Sequence, residues 1–302
     1  MFNEIMNLQI MFFVLLFLGY FLRKRDVINS EGKKSLNRLL LYVVLPCNIV
    51  NAFRIELESE ILGVFIRVLL ISVAIQFMCW LIGKFGYNWV EPRKRSVLQY
   101  ATACSNAGFI GNPVAEGVFG TVGLLYTSAF LIPQRIIMWS AGISYFTTGI
   151  SFKERVKKVL LHPCIIAVII GGIIMFLKPA IPTLCYDIIK KIGDTNTVLS
   201  MLIIGTVLAE VPLKSVFSKE AFLYSILRLI ILPLIVFLGC KAMGFGGEEI
   251  GISVVLTAMP AGSTSVILAQ QYDGDSEYAI KLVVLSTLLL FVSLPMWLMI
   301  IQ

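Results

Sequence analysis

Apolar runs follow one another from end to end of this sequence, separated by short clusters of charged and turn-forming residues. A bilayer crossing needs about 20 apolar residues. On that measure the pattern predicts ten membrane spans, at about 5–22, 36–53, 61–83, 96–119, 123–148, 163–177, 184–209, 221–243, 250–271 and 278–301. The seventh is the weakest. Its firmly apolar part is Val198 to Ala209, preceded by Lys190, Lys191 and Asp194, and residues 184–192 also fit an amphipathic helix lying at the interface. The first segment has no basic region before it and is followed by Arg23-Lys24-Arg25, which reads as a span rather than a signal peptide.

Two spans carry helix breakers where a span has least use for them. Span 4 contains Thr102-Ala103-Cys104-Ser105-Asn106-Ala107-Gly108 and then Gly111-Asn112-Pro113. Span 9 contains Thr257-Ala258-Met259-Pro260-Ala261-Gly262, then Ser263-Thr264-Ser265. Lipid cannot hydrogen-bond a freed backbone group, so irregular backbone at this depth must be buried in protein or beside a watery cavity. Interrupted segments at corresponding positions of two halves are the sequence sign of a secondary transporter's binding site.

The halves match elsewhere. Arg67 corresponds to Arg228, and Met138-Trp139 to Met296-Trp297. Five spans per half would invert the second half relative to the first. The expected fold is therefore an all-α polytopic membrane protein of ten transmembrane helices, arranged as two inverted five-helix repeats (1–150 and 151–302) with spans 4 and 9 broken and crossed.

Composition sharpens this picture. The chain has 302 residues, 58% hydrophobic and 14% charged, and a mean hydropathy of +0.89. A soluble domain is about 45–50% apolar and about 25% charged. The net charge of +7 comes from clusters between spans: Arg23, Lys24, Arg25, Lys33, Lys34 and Arg38; Lys84, Arg93, Lys94 and Arg95; Lys153, Arg155, Lys157 and Lys158. Such clusters mark cytoplasmic loops, not a nucleic-acid surface, so both termini are expected outside a plasma (inner) membrane. The six cysteines show no CxxC spacing and His162 is the single histidine. Neither a metal site nor a disulfide frame is expected. There is no nucleotide-binding motif, and no cofactor is expected.

At the breaks, Asn106, Gly111, Asn112 and Pro113 in span 4 and Pro260, Gly262, Ser263, Thr264 and Ser265 in span 9 are the candidate substrate contacts. Half-helix N-termini offer unpaired N–H groups and partial positive charge, which suits an anion; close helix packing is the competing reading. Charges inside spans are costly and usually functional. Arg135 either counters a substrate carboxylate or pairs with an acidic residue. Glu116, one turn beyond Pro113, either carries a coupled proton or caps polar groups near the exit. Arg67 and Arg228 read as interfacial, structural residues, and Lys281 as an interface anchor.

Gly19-Tyr20 with its basic turn, Leu45-Pro46, Asn106-Ala107-Gly108 through Asn112-Pro113, Gln134-Arg135 and Pro260-Ala261-Gly262 give the chain, over nearly its whole length, a resemblance to the auxin efflux carrier family. That family comprises plant PIN carriers and short bacterial members of the malate or organic-acid permease type. The resemblance implies inverted five-helix repeats, with spans 1, 2, 6 and 7 as a scaffold and homodimer interface. Spans 3, 4, 5, 8, 9 and 10 would form the domain that moves in an elevator-like cycle. It also implies that the crossover prolines and the asparagine-type residues beside them line the substrate site. Here Pro113 is followed by Val114-Ala115-Glu116 and the loop after span 5 is short, unlike the plant carriers. The expected function is transport of a small organic anion. The alternatives are an ion-coupled antiporter or symporter of the same fold, an intramembrane enzyme, for which the only acidic cluster is Asp273, Asp275 and Glu277, or a transporter-like sensor. The expected partners are that anion, the lipid bilayer and a second copy of the chain, and no nucleic acid.

Overall fold

Proline and glycine decide where the helices of this chain stop. The computed structural model describes residues 2–54, 58–146, 151–178, 181–210, 212, 216–272 and 274–301. In chain order its α-helices are α1 (Phe2–Lys24), α2 (Ser30–Leu39), α3 (Leu45–Ala52), α4 (Ser59–Gly86), α5 (Pro92–Ala103), α6 (Asn112–Ile137), α7 (Phe152–Leu160), α8 (Pro163–Leu177), α9 (Thr183–Gly193), α10 (Asn196–Leu208), α11 (Lys219–Ile226), α12 (Leu232–Ala242), α13 (Gly247–Thr257), α14 (Thr264–Gln271) and α15 (Ser276–Ile301).

Wide π-helical turns lead into α3, α6 and α12, at Leu40–Val44, Ala107–Gly111 and Leu227–Ile231. In each case a proline follows within the first two helical positions: Pro46, Pro113 and Pro233. Proline has no N–H to give and its ring presses on the carbonyl four residues back, so the backbone widens there. The freed carbonyl needs another donor in a membrane. Leu229, four residues before Pro233, receives the indole N–H of Trp297 at 2.7 Å.

The expectation of ten spans in two inverted five-helix repeats is overturned. Among the described residues, five helices are long and apolar enough to cross: Ser30–Ala52, Ser59–Gly86, Ala107–Gly142, Lys219–Ala242 and Ser276–Ile301. A sixth is reached only if α7 and α8, bent by 53° at their junction, are counted as one span. The physical reason is fragmentation. Expected span 9 is divided into α13 (11 residues) and α14 (8 residues), and expected span 7 into α9 (11 residues) and α10 (13 residues). At 1.5 Å per residue, 11 residues cover roughly 16 Å, about half of a hydrocarbon core some 30 Å thick. Expected spans 4 and 5 are joined instead of separated by a loop, although the long helix folds at Gly120 (φ 67°, ψ −157°), a left-handed residue that suits glycine. The apparent match of Arg67 with Arg228 dissolves too. Arg67 pairs with Glu249 at 2.6 Å and is partly exposed, whereas Arg228 is buried between the broken helices. The end of expected span 5, at 147–148, and Asp273 of the acidic cluster lie outside the described residues.

Packing gathers the helices into two sets. In one, α1 lies along α10, and α3 packs on α8 and α9. Gly19 and Gly205 let α1 and α10 approach to backbone contact: a Cβ at Gly205 would strike the Leu16 carbonyl, and one at Gly19 the Leu202 carbonyl. Small residues of this kind permit close helix contact where lipid supplies no hydrophobic drive. In the other set, α4 packs on α5 and α6, α13 on α4, α6 and α12, and α15 on α11, α13 and α14. Apolar side chains such as Ile10, Val14 and Phe21 on α1 and Leu70, Val73 and Phe77 on α4 remain exposed, forming the faces that lipid would cover.

Candidate functional site

The C-terminal end of α5 leaves carbonyls that no further helical turn can satisfy. Several carbonyls here and just beyond find partners from other elements. The Tyr224 hydroxyl donates to the Ala101 carbonyl (2.9 Å), and Arg228 Nη1 donates to that of Thr102 (3.1 Å). The Gly262 N–H donates to Cys104 (3.2 Å), and Gln134 Nε2 donates to Ser105 (2.9 Å). In the second break, Arg228 Nε donates to the Met259 carbonyl (3.0 Å) and the Asn106 N–H to that of Pro260 (2.8 Å). The Ala261 N–H donates to the Ser286 hydroxyl (3.1 Å). The two irregular segments therefore meet as a short antiparallel bridge, Ser105 opposite Ala261. Each break supplies part of the hydrogen bonding that the other has lost.

Several candidate residues are brought together here. Asn106 is buried and also donates from Nδ2 to the Ser263 hydroxyl (3.4 Å). Thr264 receives the Tyr100 hydroxyl (3.0 Å), and the Ser265 hydroxyl donates to the Gly262 carbonyl (2.7 Å). Gly262 admits no side chain, since a Cβ there would lie 2.6 Å from the Cys104 carbonyl oxygen. Gly111 packs against Leu256 and Met259 of the opposite break. Asn112 and Pro113 begin α6 and are both buried. Asn112 Nδ2 has no hydrogen-bond partner, an unmet buried donor beside the crossing.

Arg135 and Glu116 fall elsewhere. Arg135 is buried with Nη1 unpartnered, against Cys164 and His162 at the start of α8. Its neighbour Gln134 is the residue that reaches the break, closing a two-way pair with Ser105 that includes Ser105 Oγ donating to Gln134 Oε1 (3.1 Å). Glu116 faces Asn48 of α3.

The fixed charge at the crossing is Arg228, which hydropathy places at an interface. It is 1% exposed and is carried on the π-turn before Pro233. Its partners are the carbonyls of Thr102 and Met259 and, at 3.7 Å, Cys79 Sγ. Among the described residues no carboxylate comes within ion-pair distance of it. Tyr87, just beyond α4, closes the same side. Burial pushes its phenol up to about 12, so it stays a neutral donor, giving its proton to Thr102 Oγ1 (2.7 Å), whose own hydroxyl donates to Leu98. No group of three metal-ligating side chains occurs among the described residues.

Two narrow apolar crevices lie where the helix sets meet. One is lined by Phe12, Leu16, Met201 and Ile204 on one side and Ile110, Val114, Thr287 and Leu290 on the other. The second continues it past Val207, Leu208 and Val284. Each has free space of about 10 Å³, room for about one water. Thr287 Oγ1, in both crevices, is buried without a partner.

Comparison with known proteins gives a consistent result. A family model described as a membrane transport protein matches residues 5–298. An "Uncharacterized transporter" of Methanothermobacter thermautotrophicus is 28% identical over 94% of each chain. The "Uncharacterized transporter YfdV" of Escherichia coli is 21% identical over 94% of this chain and 93% of its own. A "Putative malonate transporter" of Rhizobium meliloti is 24% identical over 95% and 92%.

Proposed function

The chain belongs to the membrane transport protein family, and on that premise we propose that it carries a small organic anion of the dicarboxylate type through the crossing of its two broken segments. It is a multi-pass membrane transporter and not an enzyme. The observation that carries the choice of an anion is Arg228, a buried guanidinium whose partners are neutral carbonyls. Hydrogen bonds to carbonyls hold its position without cancelling its charge, so its field extends to any anion that reaches the crossing. Asn112 Nδ2 adds an unmet donor, and Asn106, Ser263 and Thr264 supply neutral polar groups that can orient a carboxylate. A relative named for malonate supports a short aliphatic dicarboxylate over an aromatic, auxin-like acid.

Transport itself would proceed by movement of one helix set against the other. The crevices between them support this reading, since the aliphatic side chains that line them can slide without breaking hydrogen bonds. On this reading α1, α3 and α8–α10 form the scaffold, and the set containing both breaks carries the anion in an elevator-like motion.

A thermal-shift screen of purified protein against small mono- and dicarboxylates tests the anion reading. Short dicarboxylates should raise the melting temperature of the wild type and leave Arg228→Gln unchanged. An equal shift in both proteins would contradict the assignment.

A further inference from the structure

Glu116 lies one turn beyond Pro113, half-buried, on the stretch of α6 that leads away from the break. It faces the other helix set. Asn48 of α3 lies against it and is itself 1% exposed. Asn48 Nδ2 also reaches the Gly193 carbonyl at 3.5 Å, while Oδ1 has no hydrogen-bond partner. The surroundings leave little slack. A Cβ at Gly193 would lie 2.9 Å from Asn48 Cα, and one at Gly117 would lie 2.5 Å from a Leu8 methyl of α1.

The charged groups facing Glu116 are Asp194 and Lys190, from α9 and its junction with α10. They are bound to each other at 2.8 Å, so the lysine's charge is already answered. Among the described residues no cation comes within ion-pair distance of Glu116. As a carboxylate, Glu116 can only accept from Asn48, and Oδ1 stays empty. As a carboxylic acid it has an O–H to give, and the residue it faces holds a buried acceptor without a donor. A buried acceptor without a donor is destabilising, so protonation and close packing of α6 on α3 favour each other.

Building on the carrier reading above, we propose that Glu116 is a proton-binding site that couples transport to pH. A proton from water binds its carboxylate while α6 is packed against α3 and donates to Asn48 Oδ1; separation of the seam withdraws that acceptor and releases the proton. Binding at one position of the moving set and release at another carries one proton per cycle, with the charge on Glu116 balanced at each step.

The test uses the full chain in liposomes. Infrared difference spectra between neutral and acid pH should show the carbonyl stretch of a protonated carboxyl group in the wild type. Glu116→Gln should lack that band, and Asn48→Ala should shift its frequency. In the same vesicles, a proton gradient, acid outside, should raise malonate accumulation by up to about tenfold per pH unit for one proton per cycle. Accumulation by Glu116→Gln should ignore the gradient. A Glu116→Gln variant that keeps both the band and the gradient response overturns the proposal. A wild type that moves no carboxylate overturns the carrier reading instead, while the infrared band still reports the proton site.

Discussion

At the scale of single residues, the crossing rests on Arg228 and Gln134, and both illustrate what a linear sequence conceals. Neighbours on a helix point about 100° apart, so Gln134 and Arg135 cannot both face the break. Hydropathy identifies the span but not its rotation, and the charged neighbour draws attention first. Arg228 is misread for a related reason. Counting from the end of an apolar run places it near an interface, but the π-turn before Pro233 and the short α11 set it against both breaks. Two predictions follow at this scale. Removing the guanidinium in Arg228→Met leaves the carbonyls of Thr102 and Met259 without donors, each costing about 1–3 kcal/mol. Its melting temperature should fall and its malonate uptake should vanish, whereas Arg228→Lys should keep the charge and measurable uptake with a raised KM. Gln134→Ala should lower uptake by about tenfold, the effect of losing roughly 1.4 kcal/mol of positioning. Arg135→Gln should leave uptake within about twofold, and comparing the two variants in one uptake assay checks which residue serves the crossing.

At the scale of elements, the breaks are the most legible part of the chain. Proline, glycine and hydroxyl residues at 102–113 and 257–265 interrupt helices for reasons that do not depend on tertiary context, and the helices do end there. The number of complete crossings is not legible in the same way. Windowed hydropathy treats α13 with α14 as one run because the intervening residues are apolar or small, although the backbone changes course between them; between α9 and α10 the polar stretch Lys190 to Asp194 does mark the division. The Gly120 fold is hidden for the converse reason: one glycine in an apolar context carries no signal of its conformation. Close contact of α1 with α10 also escapes the sequence, since Gly19 and Gly205 are unremarkable until their partners are known. Gly205→Leu should force these helices apart. Overpacking of this kind costs about 1–3 kcal/mol, visible as a lower melting temperature in detergent, and Gly239→Leu, at an open position, should leave it unchanged.

At the scale of the whole molecule, two helix sets share a mostly apolar seam, and the polar crossing is carried by one of them. Charge clusters at the ends tie the sets internally: Lys33 and Arg23 bind Glu210 across α1, α2 and the end of α10, and Arg67 binds Glu249 across α4 and α13. These ion pairs stay within a set, leaving the seam free of them. If the sets move relative to one another, a cross-link over the seam must stop transport. Cysteines introduced as Ile204→Cys and Thr287→Cys, which line both crevices, should abolish uptake when oxidised and restore it when reduced; uptake that persists through cross-linking would exclude sliding at that seam. The claim on which everything else depends is that the two breaks together form the anion's binding place. Malonate uptake into liposomes by Asn112→Ala and by Pro260→Ala, each shown to insert as the wild type does, tests it most directly. Each substitution alone should abolish uptake, and wild-type flux in both variants would rule that binding place out.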